Sequence, residues 1–187
     1  MPEFKVTRSL VVVCALVAAS VAVATAQSSA PSKKNVEGVT NFTQLDATIA
    51  CAGATKASSV PELKNMGFVS IVNLRRSAEE GADVEAEMAA AKAAGLKYFH
   101  LPFAAPRTPE ENADQTVEAF LAAVGDRANQ PVFVHCAAGG RAAAMWLIKR
   151  VRIDGWTVEK AKAEADLVVT NNASVDWAVK YVQATNR

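Results

Sequence analysis

The run Val132-Phe133-Val134 constrains this chain most. A strand with no polar face has to lie inside a sheet that is covered on both sides. That is the habit of parallel α/β sheets and not of half-solvated antiparallel ones. Directly behind it stand His135-Cys136-Ala137-Ala138-Gly139-Gly140-Arg141, and then an Ala-rich apolar stretch up to Val151 that reads as a helix. A central strand therefore turns, through small residues and glycine, straight into a helix.

The punctuation of the remaining chain repeats that alternation. Residues 42–50 hold a first strand, and Ser59 is placed to cap a short helix over residues 60–66 that Gly67 ends. Residues 68–74 form a second strongly apolar strand, residues 77–94 an Ala- and Glu-rich helix stopped by Gly95, and residues 96–101 a third strand. The prolines at 102, 106 and 109 mark a loop, and Pro109 suits the first position of a helix running to Val124. Thr157 caps a helix to about Val168, and Ser174 caps the last, with Trp177, Tyr181 and Val182 on its buried side. Strands alternating with helices predict an α/β fold: a central, mostly parallel sheet flanked by helices, with the trailing helices on one face.

Three segments follow from composition. Lys5 and Arg8 precede an apolar stretch from Leu10 to Val23, and Ala24-Thr25-Ala26 fits a small-residue cleavage site, so residues 1–26 read as a secretory signal peptide and the mature protein as secreted or periplasmic, with a retained anchor as the alternative. Residues 27–38 are rich in Ser, Lys and Asn and read as a flexible lead-in; residues 39–187 are the folded domain. A formal charge of +1 gives no sign of nucleic-acid or membrane-surface binding once the signal is removed. No His/Cys/Asp cluster has metal-ligand spacing and no dinucleotide or Walker loop occurs, so no cofactor or metal is expected.

Residues 135–141 carry the chemistry. A Gly-containing turn between a strand end and a helix start converges backbone N–H groups on one point, which favours an anion there and a thiolate over a thiol at Cys136. The N–H groups of Ala137, Ala138, Gly139 and Gly140 make the nest. Arg141, in the first helical turn, can grip an oxyanion with two hydrogen bonds. His135 is expected to order the loop by hydrogen bonding and to stand among the anion-binding residues. The expected partner is thus an anionic substrate.

The segment resembles the signature loop of the cysteine-dependent dual-specificity and tyrosine phosphatase superfamily. The domain as a whole is similar to the bacterial phosphatase-like domain named after beta-lactamase hydrolase-like proteins. The resemblance runs from about Phe42 to Ala165. It rests on Gly67-Phe68-Val69-Ser70-Ile71-Val72-Asn73-Leu74-Arg75 with Glu79 or Glu80 behind it, on Ala94-Gly95-Leu96-Lys97-Tyr98 and Leu101-Pro102-Phe103, and on Pro131-Val132-Phe133-Val134-His135-Cys136 and Gly155-Trp156. It implies a dual-specificity-phosphatase-like fold and a phosphocysteine mechanism. Cys136 would attack phosphorus, Arg141 and the loop N–H groups would hold the equatorial oxygens, and a carboxylic acid would protonate the leaving group.

Three departures keep a second chemistry open. Only four residues separate Cys136 from Arg141, one fewer than is common in phosphatases and the same as in rhodanese sulfurtransferases. Ala142 stands where phosphatases often have Ser or Thr. The segment Phe103-Ala104-Ala105-Pro106-Arg107 holds no acid, which leaves Glu110, Glu111 and Asp114 as the nearest candidates for the general acid. A rhodanese-like sulfurtransferase working through a persulfide on Cys136 needs no such acid. A non-catalytic anion-binding or redox module is the third alternative.

Four other expectations can be checked structurally. The resemblance favours Arg75 as a pocket residue, against a solvated turn. Cys51 is the only other cysteine after the signal, and is either a buried structural residue or a redox partner of Cys136. His100 reads as a satisfied strand-end histidine. Lys149, Arg150 and Arg152 sit late in a helix, where cations suit its dipole.

Overall fold

The computed structural model describes Met1, residues 30–104 and residues 113–185. The expected signal peptide therefore lies outside the described residues. One six-stranded sheet runs β1(Ser32–Lys33), β2(Thr43–Asp46), β3(Ile49–Ala52), β6(Val132–His135), β4(Ser70–Asn73), β5(Lys97–His100) across its width. The four strands β3, β6, β4 and β5 are mutually parallel, and β1 and β2 extend the sheet antiparallel on the β3 side. The expected central α/β sheet is thus present, and the apolar strand at residues 132–135 lies inside it with all four residues buried.

The sheet separates two apolar layers. Val132, Val134, Ile49, Cys51, Val72 and Leu74 face α3(Asp114–Gly125), α4(Gly140–Arg152), α5(Val158–Val168) and α6(Ala173–Thr185). Ala50, Ala52, Ile71 and Phe133 face the other way, toward α1(Val60–Asn65) and α2(Val84–Ala93). Successive strand residues point to opposite faces, so His135 turns to the α2 side and Cys136 to the α4 side. Helix α4 is almost wholly buried, with ten consecutive residues, Ala142 to Val151, at most 8 % exposed. That explains its run of alanines and large apolar residues with no exposed stripe.

Several elements differ from the sequence expectation: Ser59 makes no capping hydrogen bond to α1, and the helix expected from Pro109 has Ala113 as its N-cap and starts at Asp114. Residues 42–50 hold a strand, a turn and the start of a second strand, because Asp46 accepts hydrogen bonds from both the backbone N–H and the hydroxyl of Thr48 and closes the reversal. The helix expected over residues 77–94 begins only at Val84. Asp83 caps it by accepting from the Ala86 N–H, and Gly81 adopts a left-handed φ of 68° that breaks any helix running through it. The last helix is capped by Asn172, which accepts from the Ser174 N–H, in place of Ser174 itself. Part of the lead-in is structured as well: Ser32 and Lys33 pair with β2, and Val36 is buried.

Candidate active site

The loop after β6 is built to turn its N–H groups inward. The Cys136 N–H continues the sheet by donating to the Ala52 carbonyl at 3.2 Å. The Ala137 carbonyl accepts from the Ala54 N–H at 2.8 Å, and the Ala138 carbonyl from Asn41 Nδ2 at 3.2 Å. In a planar trans peptide the carbonyl and the following N–H point oppositely. Two carbonyls anchored outward therefore aim the N–H groups of Ala138 and Gly139 at the centre of the loop. The second of these meets the Cys136 Sγ at 3.1 Å. The turn passes through Gly139 at a left-handed φ of 101°, where a Cβ would also press on Asn41 Nδ2 at 2.9 Å. Helix α4 then starts at Gly140 and adds its unpaired N–H groups to the same point.

Arg141 is held from three sides. Its guanidinium makes a two-pronged pair with Glu79, Nη1 to Oε1 at 2.6 Å and Nη2 to Oε2 at 2.7 Å. Nη1 also donates to the carbonyls of Leu74 at 3.1 Å and Phe103 at 2.9 Å. The Glu79 pair, and the Cys136 thiol beside it, raise the already high pKa of Arg141. In return the Arg141 hydrogen bonds hold the Glu79 carboxyl down at about 2. The pair is therefore ionic at every working pH.

The turn that carries Glu79 is fixed in its own right. Arg75 is 4 % exposed and donates through Nη1 to the Gly81 carbonyl at 2.9 Å and through Nη2 to that of Glu80. Its Nε lies 3.7 Å from Glu79 Oε2. Arg75 is thus neither a solvated turn residue nor, in this arrangement, a hand extended to an anion. Its forked donors brace the turn that braces Arg141. The Glu79 Oε1 also accepts from the Arg76 N–H, which closes the turn.

His135 departs from its expected place. It is fully buried on the α2 face, where Nε2 stands 2.8 Å from Glu87 Oε1 at an angle outside hydrogen-bond geometry, and its ring stacks on Phe133. It does not reach the loop around Cys136, because strand alternation sends its side chain away from that of Cys136. Of the acid candidates, Glu110 and Glu111 lie outside the described residues. Asp114 accepts from the Tyr181 hydroxyl at 2.6 Å. His100 is the strand-end residue expected, with Nε2 at 2.8 Å from the Arg75 carbonyl. Cys51 stands opposite Val134 in the β3–β6 register, so it shares a face with Cys136, two residues further on. Both thiols are free and buried, and burial pushes the Cys51 thiol well above its ordinary range.

Sequence reasoning missed the roles of Glu79, Glu87 and Asn41. Glu79 is legible in the sequence only as an acid of the family resemblance, at the start of an Ala- and Glu-rich stretch whose helix begins at Val84. Asn41 carries its signal in its residue type, since asparagine tolerates the left-handed φ of 50° found there. Its amide bridges the carbonyls of Ala138 and Val168, the second at 2.9 Å, and so ties the loop to the end of α5.

A family model of the beta-lactamase hydrolase-like protein, phosphatase-like domain, matches residues 41–152, which is more than half of the chain and spans the whole of this site. The chain belongs to that family. A beta-lactamase hydrolase-like protein of Agrobacterium fabrum is 31% identical over 107 residues, covering 56% of this chain and 24% of its own length. One from Xylella fastidiosa is 31% identical over 113 residues, covering 59% and 25%. The chain thus spans about a quarter of the length of these relatives. Among solved structures, a putative phosphatase of Shewanella putrefaciens superposes with a TM-score of 0.63 at 21% identity, covering 81% of this chain and 98% of that one. TpbA of P. aeruginosa, as a cysteine-to-serine variant in complex with pTyr, gives 0.54 at 18% identity, covering 83% and 96%. The core catalytic domain of a PP-IP phosphatase from S. cerevisiae, in complex with citrate, gives 0.60 at 17% identity, covering 81% and 96%. The fold is that of the cysteine-based phosphatases.

Proposed function

We propose that this protein is an exported cysteine-dependent phosphatase that hydrolyses phosphoesters through a phosphocysteine intermediate. One observation carries the reading. The Gly139 N–H donates to the sulfur of Cys136 in front of the α4 N-terminus, and Arg141, locked by Glu79, interacts with the same thiol. This places fixed positive potential where a phosphoryl group would gather negative charge in its transition state. The bound pTyr and citrate of the two structural neighbours are anions. We extend that class to this chain and expect a phosphorylated anionic substrate, with tyrosine phosphate as the first to test.

In this mechanism the Cys136 thiolate attacks phosphorus and the bond from phosphorus to the leaving oxygen breaks. The oxygen takes a proton from a carboxylic acid, and water then cleaves the S–P bond. The acid belongs to the segment after Phe103, with Glu110, Glu111 and Asp114 as its candidates. The four-residue span to Arg141 and the buried Ala142 support sulfur transfer as the second reading. There Cys136 would carry a sulfane sulfur from an anionic donor to a thiol acceptor.

A paired assay on the purified protein separates them. One arm follows hydrolysis of an aryl phosphate, the other thiosulfate-to-cyanide sulfur transfer. Phosphate release that Cys136→Ser brings to background is the expected result. Sulfur transfer alone, or phosphate release that survives Cys136→Ser, overturns the proposal.

A further inference from the structure

Behind the catalytic loop, on the opposite face of the sheet, lies a buried polar cluster that the proposed reaction does not use. Glu87 on α2 is 3 % exposed and sits among three strands. Its Oε2 accepts from Asn73 Nδ2 at 2.8 Å and from the Tyr98 hydroxyl at 3.2 Å, and Asn73 Nδ2 also reaches that hydroxyl at 2.9 Å. Its Oε1 faces His135 at 2.8 Å. Neither ring nitrogen of His135 has a hydrogen bond among the described residues. An apolar core would be cheaper than a buried carboxylate against an imperfectly satisfied imidazole, so the cluster calls for a purpose other than stability.

The connections supply one. Asn73 and His135 are register partners on the neighbouring strands β4 and β6. His135 is followed at once by Cys136. Asn73 Oδ1 accepts from the Arg75 N–H at 2.7 Å, and Arg75 holds the turn that carries Glu79, the partner of Arg141. The nucleophile and the support of the anion clamp thus leave the sheet from adjacent strands, and Glu87 touches the end of both. We propose that Glu87 is a positioning residue of the active site. Through His135 and Asn73 it sets the place of Cys136 relative to the Glu79–Arg141 pair. The groups that face it are His135 of β6, Asn73 of β4 and Tyr98 of β5. Burial, with the Glu87 charge second, keeps the Tyr98 phenol far above its ordinary range, so it stays a donor.

This inference rests on the phosphatase reading for its kinetic test and has a second test that does not. Glu87→Ala should lower kcat for aryl phosphate about tenfold or more, and Glu87→Gln, which keeps the acceptor for Asn73 and Tyr98, should recover most of it. Asn73→Ala should raise KM more than it lowers kcat, because it loosens the side of the site that holds Arg141. Glu164→Gln is the control: a carboxylate of α5 paired with Arg150 in the last turns of α4, whose loss should lower Tm and leave kcat within twofold of wild type. The second readout is the rate at which iodoacetamide labels Cys136, located by peptide mass, and its protection by inorganic phosphate. Glu87→Ala and Asn73→Ala should each weaken that protection at least fivefold. Folded Glu87→Ala with kcat and protection within twofold of wild type overturns the proposal, as does a loss matched by Glu164→Gln. If Glu87→Ala does not fold, unchanged KM and protection in Asn73→Ala overturn it instead. A wild-type protein without phosphatase turnover ends the phosphatase reading, while phosphate protection still decides the role of Glu87.

Discussion

Helix α4 carries an arginine near each end, and the two are treated differently. Arg150, in the last turns, is saturated. It pairs with Asp46 at 2.6 Å, with Glu164 at 2.7 and 2.8 Å and with Asp154 at 3.0 Å. Its guanidinium also stacks on Trp146 and Trp156, with Lys160 on Trp156 as well. Arg141, in the first turn, meets one carboxylate and two carbonyls. The helix dipole favours a cation where Arg150 stands and disfavours one where Arg141 stands. More acids than one cation needs, at the favourable end, make a clamp between β2, α4 and α5. A cation at the unfavourable end, beside inward N–H groups and with a single acid, leaves surplus positive potential at Cys136. The first arrangement suits stability and the second suits an anion.

The largest expected effect separates the two ends by activity. Arg141→Lys keeps the charge but loses the fork that Glu79 grips and that an oxyanion would share. Turnover of aryl phosphate should fall about 100- to 1,000-fold, the loss typical of removing an oriented donor from a charge-stabilising site. Urea denaturation should shift little. Turnover within tenfold of wild type would break the comparison, because Arg141 would then be one more structural arginine.

The opposite pattern is expected at Arg150. Arg150→Met leaves Asp46 and Glu164 without their cation, and breaking a buried pair from one side costs about 3–5 kcal/mol. Burial works against the Asp46 charge, but hydrogen bonds from Thr48 and Arg150 outweigh it and keep that carboxyl ionised below its ordinary range. Removing Arg150 therefore strands a charge. The midpoint in urea should drop accordingly, while kcat of the molecules still folded stays within a few-fold of wild type. A stable variant with lost turnover would show the two ends to be coupled.

The contrast between the ends was partly legible in the sequence. The strand at residues 132–135, the helix behind it and the Cys136–Arg141 loop were all readable, because apolar runs, small residues and glycine report local backbone demands directly. The cations late in α4 were readable as dipole partners. Their acids were not, since Asp46 and Glu164 come from β2 and α5, and pairing across the fold leaves no local pattern. The same holds for Glu79. An Ala- and Glu-rich stretch has high helix propensity, and what overrides it at residues 77–83 is the left-handed turn at Gly81, the Asp83 cap and the long-range pair with Arg141. His135 was assigned to the loop by adjacency to Cys136. The side to which it points follows from the strand parity of β6, and its partner Glu87 follows only from the packing of α2 on the sheet.

The smallest expected effect tests how Arg141 is held. Glu79 has a carboxyl depressed to about 2, first by the hydrogen bonds of Arg141 and next, against burial, by the Arg76 N–H. A carboxylate with a folded pKa below its unfolded one stabilises fully above the ordinary glutamate range. It loses that contribution as pH falls from there through the folded value. Wild type should therefore be more stable than Glu79→Gln at neutral pH, and the gap should close on acidification between the ordinary range and about pH 2. Partial exposure of the pair keeps the gap modest. Thermal melts of both proteins over that interval measure it. The glutamine still accepts one hydrogen bond from Arg141, so turnover at neutral pH should fall by less than in Arg141→Lys. A gap that stays constant with pH would mean that Glu79 acts through shape alone. The surplus potential at Cys136 would then have to come from the loop N–H groups and the α4 N-terminus without help from a fixed guanidinium.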